Sequence, residues 1–320
     1  MWPVRPHDRQ HPIRGSFLDP RPDPVRGAVY HTGVDIAVRD DRPERGAPPE
    51  RTHRVYAIEG GVVDEATPAG VCGNVRLGHF GYGHVDARVA VGEQVRAGQH
   101  IGWTCQGWWH LHLTEWLLVG DERLPINPLR PAGKLKPFRD TAPPVIHDVR
   151  FHSPAEPDWG RRVTSVVRLP GAGRRLDRSR LSGLVDVRAR VSDPQSHMGW
   201  FRDLPALVAP HHPYRLGLLV IDRRLERIVY RRTAFISLTM PALATDQHYA
   251  PGTTQNLSAK ACLNRRAPCN GVYWFRLFPR PYWDTTRLAN GRYLLVVRAW
   301  DAAGNRARKD VEIRIANPAV

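Results

Sequence analysis

The feature that most limits the fold is alternation with a period of two, in short segments broken by Gly and Pro. The clearest case is Trp108-Trp109-His110-Leu111-His112-Leu113-Thr114-Glu115-Trp116. On a strand, residues i and i+2 share a face. His110 and His112 therefore project together, and Leu111 and Leu113 take the other side. Two neutral imidazoles on one face can bind a metal, or one can bind while the other works on the bound water. The same alternation also suits the polar face of an amphipathic strand. Partners elsewhere in the chain must decide between the two.

Short β segments recur through the first 130 residues, and no helical period survives there. They cover residues 55–58, 61–63, 74–77, 89–95 and 99–103. Residues 39–54 are charged and Pro-rich and read as a surface loop. Residues 78–85, Gly78-His79-Phe80-Gly81-Tyr82-Gly83-His84-Val85, read as a Gly-rich turn carrying two histidines. Upstream, His31-Thr32-Gly33-Val34-Asp35 places a histidine and a carboxylate four apart. In extended chain both fall on one face, with Gly33 leaving open space between them. His plus carboxylate is a credible pair of zinc ligands. His7, His11, His53, His79, His100, His147, His152, His211 and His212 lack partners at ligand spacing and read as ordinary loop or surface residues.

In order, His31-Thr-Gly-Val-Asp35, Tyr82-Gly-His84, Val91-Gly-Glu-Gln-Val95-Arg-Ala-Gly98-Gln99-His-Ile101-Gly102 and His110-Leu-His112 resemble the lysostaphin/LytM-type zinc metallopeptidases. The upstream Gly15-Ser16-Phe17-Leu18-Asp19-Pro20-Arg21 is similar to the SxFGxR segment that opens that domain. The resemblance covers about residues 10–130. It implies an antiparallel β-sheet peptidase domain in which His31, Asp35 and His112 bind Zn2+ and His84 and His110 are catalytic. It implies an endopeptidase whose substrate is a peptidoglycan peptide. Three protein ligands leave a fourth tetrahedral position for water, the mark of a catalytic site. The chain departs from the family in its long 39–54 loop. It also carries Trp108-Trp109 where a Gly-Pro pair is usual.

Residues 1–9 read as an N-terminal arm and residues 131–144, rich in Pro and basic residues, as a linker. Residues 145–320 return to β alternation, as in Val185-Asp186-Val187-Arg188-Ala189-Arg190-Val191 and Val311-Glu312-Ile313-Arg314-Ile315. The spacing of these short strands predicts a β-sandwich. The ending Asn290-Gly291-Arg292-Tyr293 to Asp301-Ala302-Ala303-Gly304-Asn305 is similar to that of bacterial immunoglobulin- or fibronectin-like modules. The whole chain is thus expected to be all-β, a metallopeptidase domain followed by an immunoglobulin-like sandwich. The second domain carries no functional motif; it reads equally as a spacer and as a wall- or substrate-binding module.

Lys and Arg number 47 against 31 Asp and Glu, a formal net charge of +16. That charge predicts attraction to a polyanion such as an anionic cell-wall polymer; charges spread over solvated faces fit as well. No aromatic–basic interleaving or nucleic-acid motif is present, so nucleic acid is not the expected partner. No stretch approaches the length of a transmembrane span. The four cysteines suit two disulfides, Cys262–Cys269 around a polar loop and Cys72–Cys105 near strand ends, in an oxidising compartment; free thiols in the cytosol are the alternative. The N-terminus has no apolar core of a signal peptide. A truncated or misassigned start reconciles this with an extracellular or wall-associated setting. Two functions follow for test: a zinc endopeptidase, and a non-catalytic wall-binding or regulatory module on the same scaffold.

Overall fold

A computed structural model describes residues 1–23, 27–155, 173–255, 270–279 and 282–319. Regular structure is almost all β, in antiparallel sheets. The short Thr245–His248 segment is the only α-helix among the described residues. No described helix is long and apolar enough to cross a membrane. Cys262, Cys269 and the glycosylation-like Asn256-Leu257-Ser258 lie outside the described residues.

The N-terminal strands are β1 (Ile13–Gly15), β2 (Pro20–Asp23), β3 (Gly27–Tyr30), β4 (Val34–Ala37), β5 (Arg51–Tyr56), β6 (Gly61–Ala66), β7 (Cys72–Leu77), β8 (Phe80–Ala87), β9 (Gln94–Val95), β10 (His100–Cys105), β11 (His110–Val119) and β12 (Glu122–Ile126). One sheet of ten strands runs β1-β4-β11-β8-β7-β6-β9, with β10 bridging β8 and β5, and β12 beside β11. Strands β2 and β3 form a separate ribbon. The alternation in β11 sorts as the sequence requires. Leu111 and Leu113 are fully buried, each worth ~1.5–3 kcal/mol of apolar burial. Their neighbours His110 and His112 stay partly open on the other face. Cys72 and Cys105 are joined by a disulfide that ties β7 to the end of β10.

Three sequence expectations are corrected here. Residues 78–85 are mostly strand, because Phe80 and Tyr82 point into the core and pull the Gly-rich run into β8. Residues 89–91 form no strand; only Gln94–Val95 of that segment pairs, with β6. The 39–54 loop ends early, since Thr52 and His53 are buried in β5, and its first residues Arg39 and Asp40 are buried too. Several histidines expected on the surface are also buried, among them His11, His211 and His212.

The C-terminal strands are β13 (Val145–His152), β14 (Leu184–Ser192), β15 (Arg215–Asp222), β16 (Arg227–Ile236), β17 (Trp274–Arg276), β18 (Trp283–Asp284), β19 (Gly291–Trp300) and β20 (Arg306–Ile315). They form two sheets, β13-β14-β17 with β18 beside β14, and β16-β15-β19-β20. The alternation of β20 is reproduced, with Val311, Ile313 and Ile315 buried and Glu312 and Arg314 exposed. Both sheets share one hydrophobic cluster with the N-terminal strands. The arm and the linker are packed as well: Trp2 is fully buried and donates to Pro137 O at 2.8 Å.

The turn between β1 and β2 is gripped by C-terminal residues. Asp19 is fully buried and accepts from Ser16 N (2.7 Å), Gln255 Nε2 (2.7 Å) and Tyr273 Oη (2.8 Å). Phe17 O accepts from His212 and Ser237, and Leu18 O accepts from Tyr249. Replacing Asp19 by Ala leaves three buried donors unpaired, at about 1–3 kcal/mol each before relaxation. Asp19→Ala should therefore lower the unfolding free energy by ~3–5 kcal/mol, read as a lower denaturant midpoint, and Tyr273→Phe by only ~1–2 kcal/mol. Equal midpoints for wild type and Asp19→Ala would contradict this placement of the carboxylate.

Candidate metal centre

Antiparallel register brings the distant motifs together. His112 on β11 lies directly opposite Asp35 on β4, and opposite Gly83 on β8 on its other side. Residues directly opposite in an antiparallel pair project from the same face. His31 enters from the turn between β3 and β4. His31 Nε2 lies 3.1 Å from Asp35 Oδ1 and 2.9 Å from His112 Nδ1, and His112 Nδ1 lies 3.1 Å from Asp35 Oδ1. Gly33 permits this closeness. A Cβ there would sit 2.3 Å from Leu113 O and 2.9 Å from His112 Nε2. Its space is therefore taken up by β11, not left open as the sequence suggested.

Neighbouring groups set which atom of each ligand faces inward. His31 Nδ1 is 2.8 Å from Ser16 O, which accepts its proton and leaves a lone pair on Nε2. His112 Nε2 is 3.0 Å from Thr114 Oγ1, which leaves Nδ1 as the free nitrogen. Arg21 Nη2 donates to Asp35 Oδ2 at 2.6 Å, so only Oδ1 is turned to the histidines. Burial acts to raise the Asp35 carboxyl. The adjacent His110, His31 and Arg21 outweigh it and hold the group well below the usual carboxylate range. Burial lowers His31, and the Arg21 charge adds to the effect.

Two imidazole lone pairs and a carboxylate oxygen thus converge at 2.9–3.1 Å with no proton assigned between them. Such an arrangement is repulsive unless an electrophile sits among the three atoms. Zinc bonds of ~2.0–2.2 Å place tetrahedral ligand atoms ~3.3–3.6 Å apart, close to the spacing seen. The donor set, two nitrogens and one oxygen with a position left over, fits a catalytic metal.

His84 and His110 flank this trio. His110 Nδ1 is 2.6 Å from Trp108 O, so its Nε2 carries the lone pair, 3.4 Å from Asp35 Oδ1. His84 occupies the one position where β8 changes partner. Gly83 pairs Asn74 and Val85 pairs Gly73, so His84 is the extra residue of a bulge, with φ at 62°. Bulges of this kind re-aim a side chain. The His84 ring stacks on Trp108, centroids 3.7 Å apart, and meets His110 edge-on at 4.8 Å. Burial pushes His84 down to about 4 and His110 well below its ordinary value. Trp108 is presented by a turn tied to Asp40, which accepts from Gly107 N and Trp109 N at 2.6 and 3.0 Å.

All five residues expected from sequence are thus brought to one place. Ser16 and Arg21 fall in the segment that resembles SxFGxR, but their orienting roles were not foreseen, and neither were those of Thr114, Asp40 and Trp108. Thr114 had a further sequence signal, its i+2 spacing from His112 on a strand. Comparison of the chain with protein-family models, curated proteins and solved structures gave no match.

Outer partners of metal ligands are typically worth 10–100-fold in affinity. Arg21→Gln should weaken zinc binding by about that factor, read by competition with a chromophoric chelator. Unchanged affinity would show that Arg21 does not orient Asp35.

Proposed function

We propose that the protein is a zinc-dependent endopeptidase of the lysostaphin/LytM type that hydrolyses peptide bonds in bacterial peptidoglycan. The observation that carries this reading is the convergence of His31 Nε2, Asp35 Oδ1 and His112 Nδ1 with His84 and His110 beside them. His31, Asp35 and His112 would hold the metal. When bound, zinc supplies a Lewis acid that polarises a carbonyl and acidifies water.

The chain's own residues account for the remaining work. Burial keeps the His110 imidazole well below its ordinary value, and its Nε2 faces the ligand trio, so that atom would take up a proton from attacking water. His84 is held rigidly by its bulge and by Trp108, and it is placed to steady charge as it develops on the substrate carbonyl. A groove of about 200 Å³ leads away from His112 past Thr114 and Trp116. Gly81 and Gly83 pair with Thr114 and His112, so no side chain fills that side of the sheet. An extended peptide fits such a groove.

The net charge of +16 suits an anionic wall. The Cys72–Cys105 bridge suits an oxidising setting outside the cytosol. The test is incubation of the zinc-loaded protein with purified peptidoglycans of different cross-bridge types, with mass analysis of the released fragments. His84→Ala and His110→Ala should keep zinc and lose about 10²–10⁴-fold in turnover. His112→Ala should lose both. Wild-type protein that binds the wall and releases no fragment would instead favour a non-catalytic binding module.

A further inference from the structure

A second cluster of charged side chains lies away from the candidate metal centre. Asp140 comes from the segment before β13, Asp193 follows β14, and Asp301 follows β19. All three are buried, at 9%, 5% and 4% exposure. One carboxylate oxygen from each lies within 4.8 Å of the others. None of the three is ion-paired with Lys, Arg or His among the described residues. Burying like charges without a counter-ion is costly. Burial, with Asp301 and Asp140 beside it, pushes the Asp193 carboxyl up to about 9.

Two further observations point to an occupant. Asp193 Oδ1 is buried with no hydrogen-bond partner. His211 Nε2 is also buried without a partner, and a backbone bridge sets His211 beside Asp193. Both residues line one small cavity of about 30 Å³, together with Asp140, Asp301, Ser16 and Phe17. The other carboxylates are already oriented: Asp301 accepts from Asn305 N and Nδ2, and Asp140 Oδ1 accepts from Ala142 N at 3.0 Å.

We propose that Asp140, Asp193 and Asp301 bind a calcium ion in this cavity. Three carboxylates form a hard oxygen donor set, which selects Ca2+, Mg2+ or Mn2+ over zinc. Oxygens at ~2.3–2.6 Å from calcium span up to ~5 Å across the ion, which accommodates the 4.8 Å spread. The cavity has room for an ion with a water or two, whereas Mg2+ retains several waters. The bound ion ties the 131–144 segment to the ends of β14 and β19, directly under the Ser16–Phe17 turn. Ser16 O is the group that orients His31, so the ion also braces the candidate metal centre from behind.

The test is thermal unfolding of the full chain, freed of metals by chelation and dialysis, with CaCl2 added up to ~10 mM, above the ~10⁻⁴–10⁻³ M range of extracellular modules. The wild type should gain about 2–4 °C in Tm at ten- to a hundredfold excess over Kd. His112→Ala should show the same gain, since the zinc ligands are not involved. Asp193→Asn keeps the side chain's shape and breaks no hydrogen bond of Oδ1; it should fold and show no gain. Asp140→Asn provides a second variant with the same expected outcome. No calcium response in the wild type, or an equal response in Asp193→Asn, would overturn the proposal.

Discussion

The pairing of β4 with β11 sets Asp35 across from His112, and the rest of the site hangs on that register. A strand has a side-chain period of two, so a slip of one residue would turn His110, His112, Thr114 and Trp116 into the core and expose Leu111 and Leu113. Burial of those two leucines therefore secures the metal-facing side without any contact to it. Close approach at Gly33 completes the arrangement, because β11 passes where any larger residue would carry its Cβ. Hydrophobic patterning fixes the face, and backbone proximity fixes the distance.

Orientation comes from a wider set of residues. Ser16 O fixes the tautomer of His31, and Ser16 N is held by Asp19, which in turn is held by Gln255 and Tyr273. The C-terminal strands are thereby connected to a candidate ligand through a short chain of buried hydrogen bonds. A region that reads from sequence equally as a spacer and as a wall- or substrate-binding module also supports the site. The same turn lies over the three-carboxylate cavity, so both clusters bear on one stretch of backbone.

Much of the site was legible in the sequence because strand periodicity is simple. His110 and His112 share a face of β11 by counting residues, whereas His31 reaches Asp35 from the turn before β4, and the resemblance in the order of motifs brought His31, Asp35 and His84 into the set. The parts that were missed depend on long-range pairing or on local backbone geometry. The bulge at His84 was hidden because a Gly-rich run reads as a turn, yet Phe80 and Tyr82 anchor it in the sheet. Arg21 and Asp40 act across ribbons and loops whose placement no local pattern announces. The three aspartates sit 53 and 108 residues apart in sequence, so only the folded chain brings them together. Burial of His211 and His212 likewise follows from the packing of the C-terminal strands around the β1–β2 turn.

The central claim is that His31, Asp35 and His112 hold a single zinc ion. X-ray absorption spectroscopy of protein reconstituted with one equivalent of zinc tests it directly. The account predicts a four-coordinate ion with two imidazoles and light oxygen or nitrogen ligands at ~2.0–2.2 Å, and loss of that signature in Asp35→Ala. A sulfur ligand, a six-coordinate hydrated ion, or an unchanged spectrum in Asp35→Ala would contradict it.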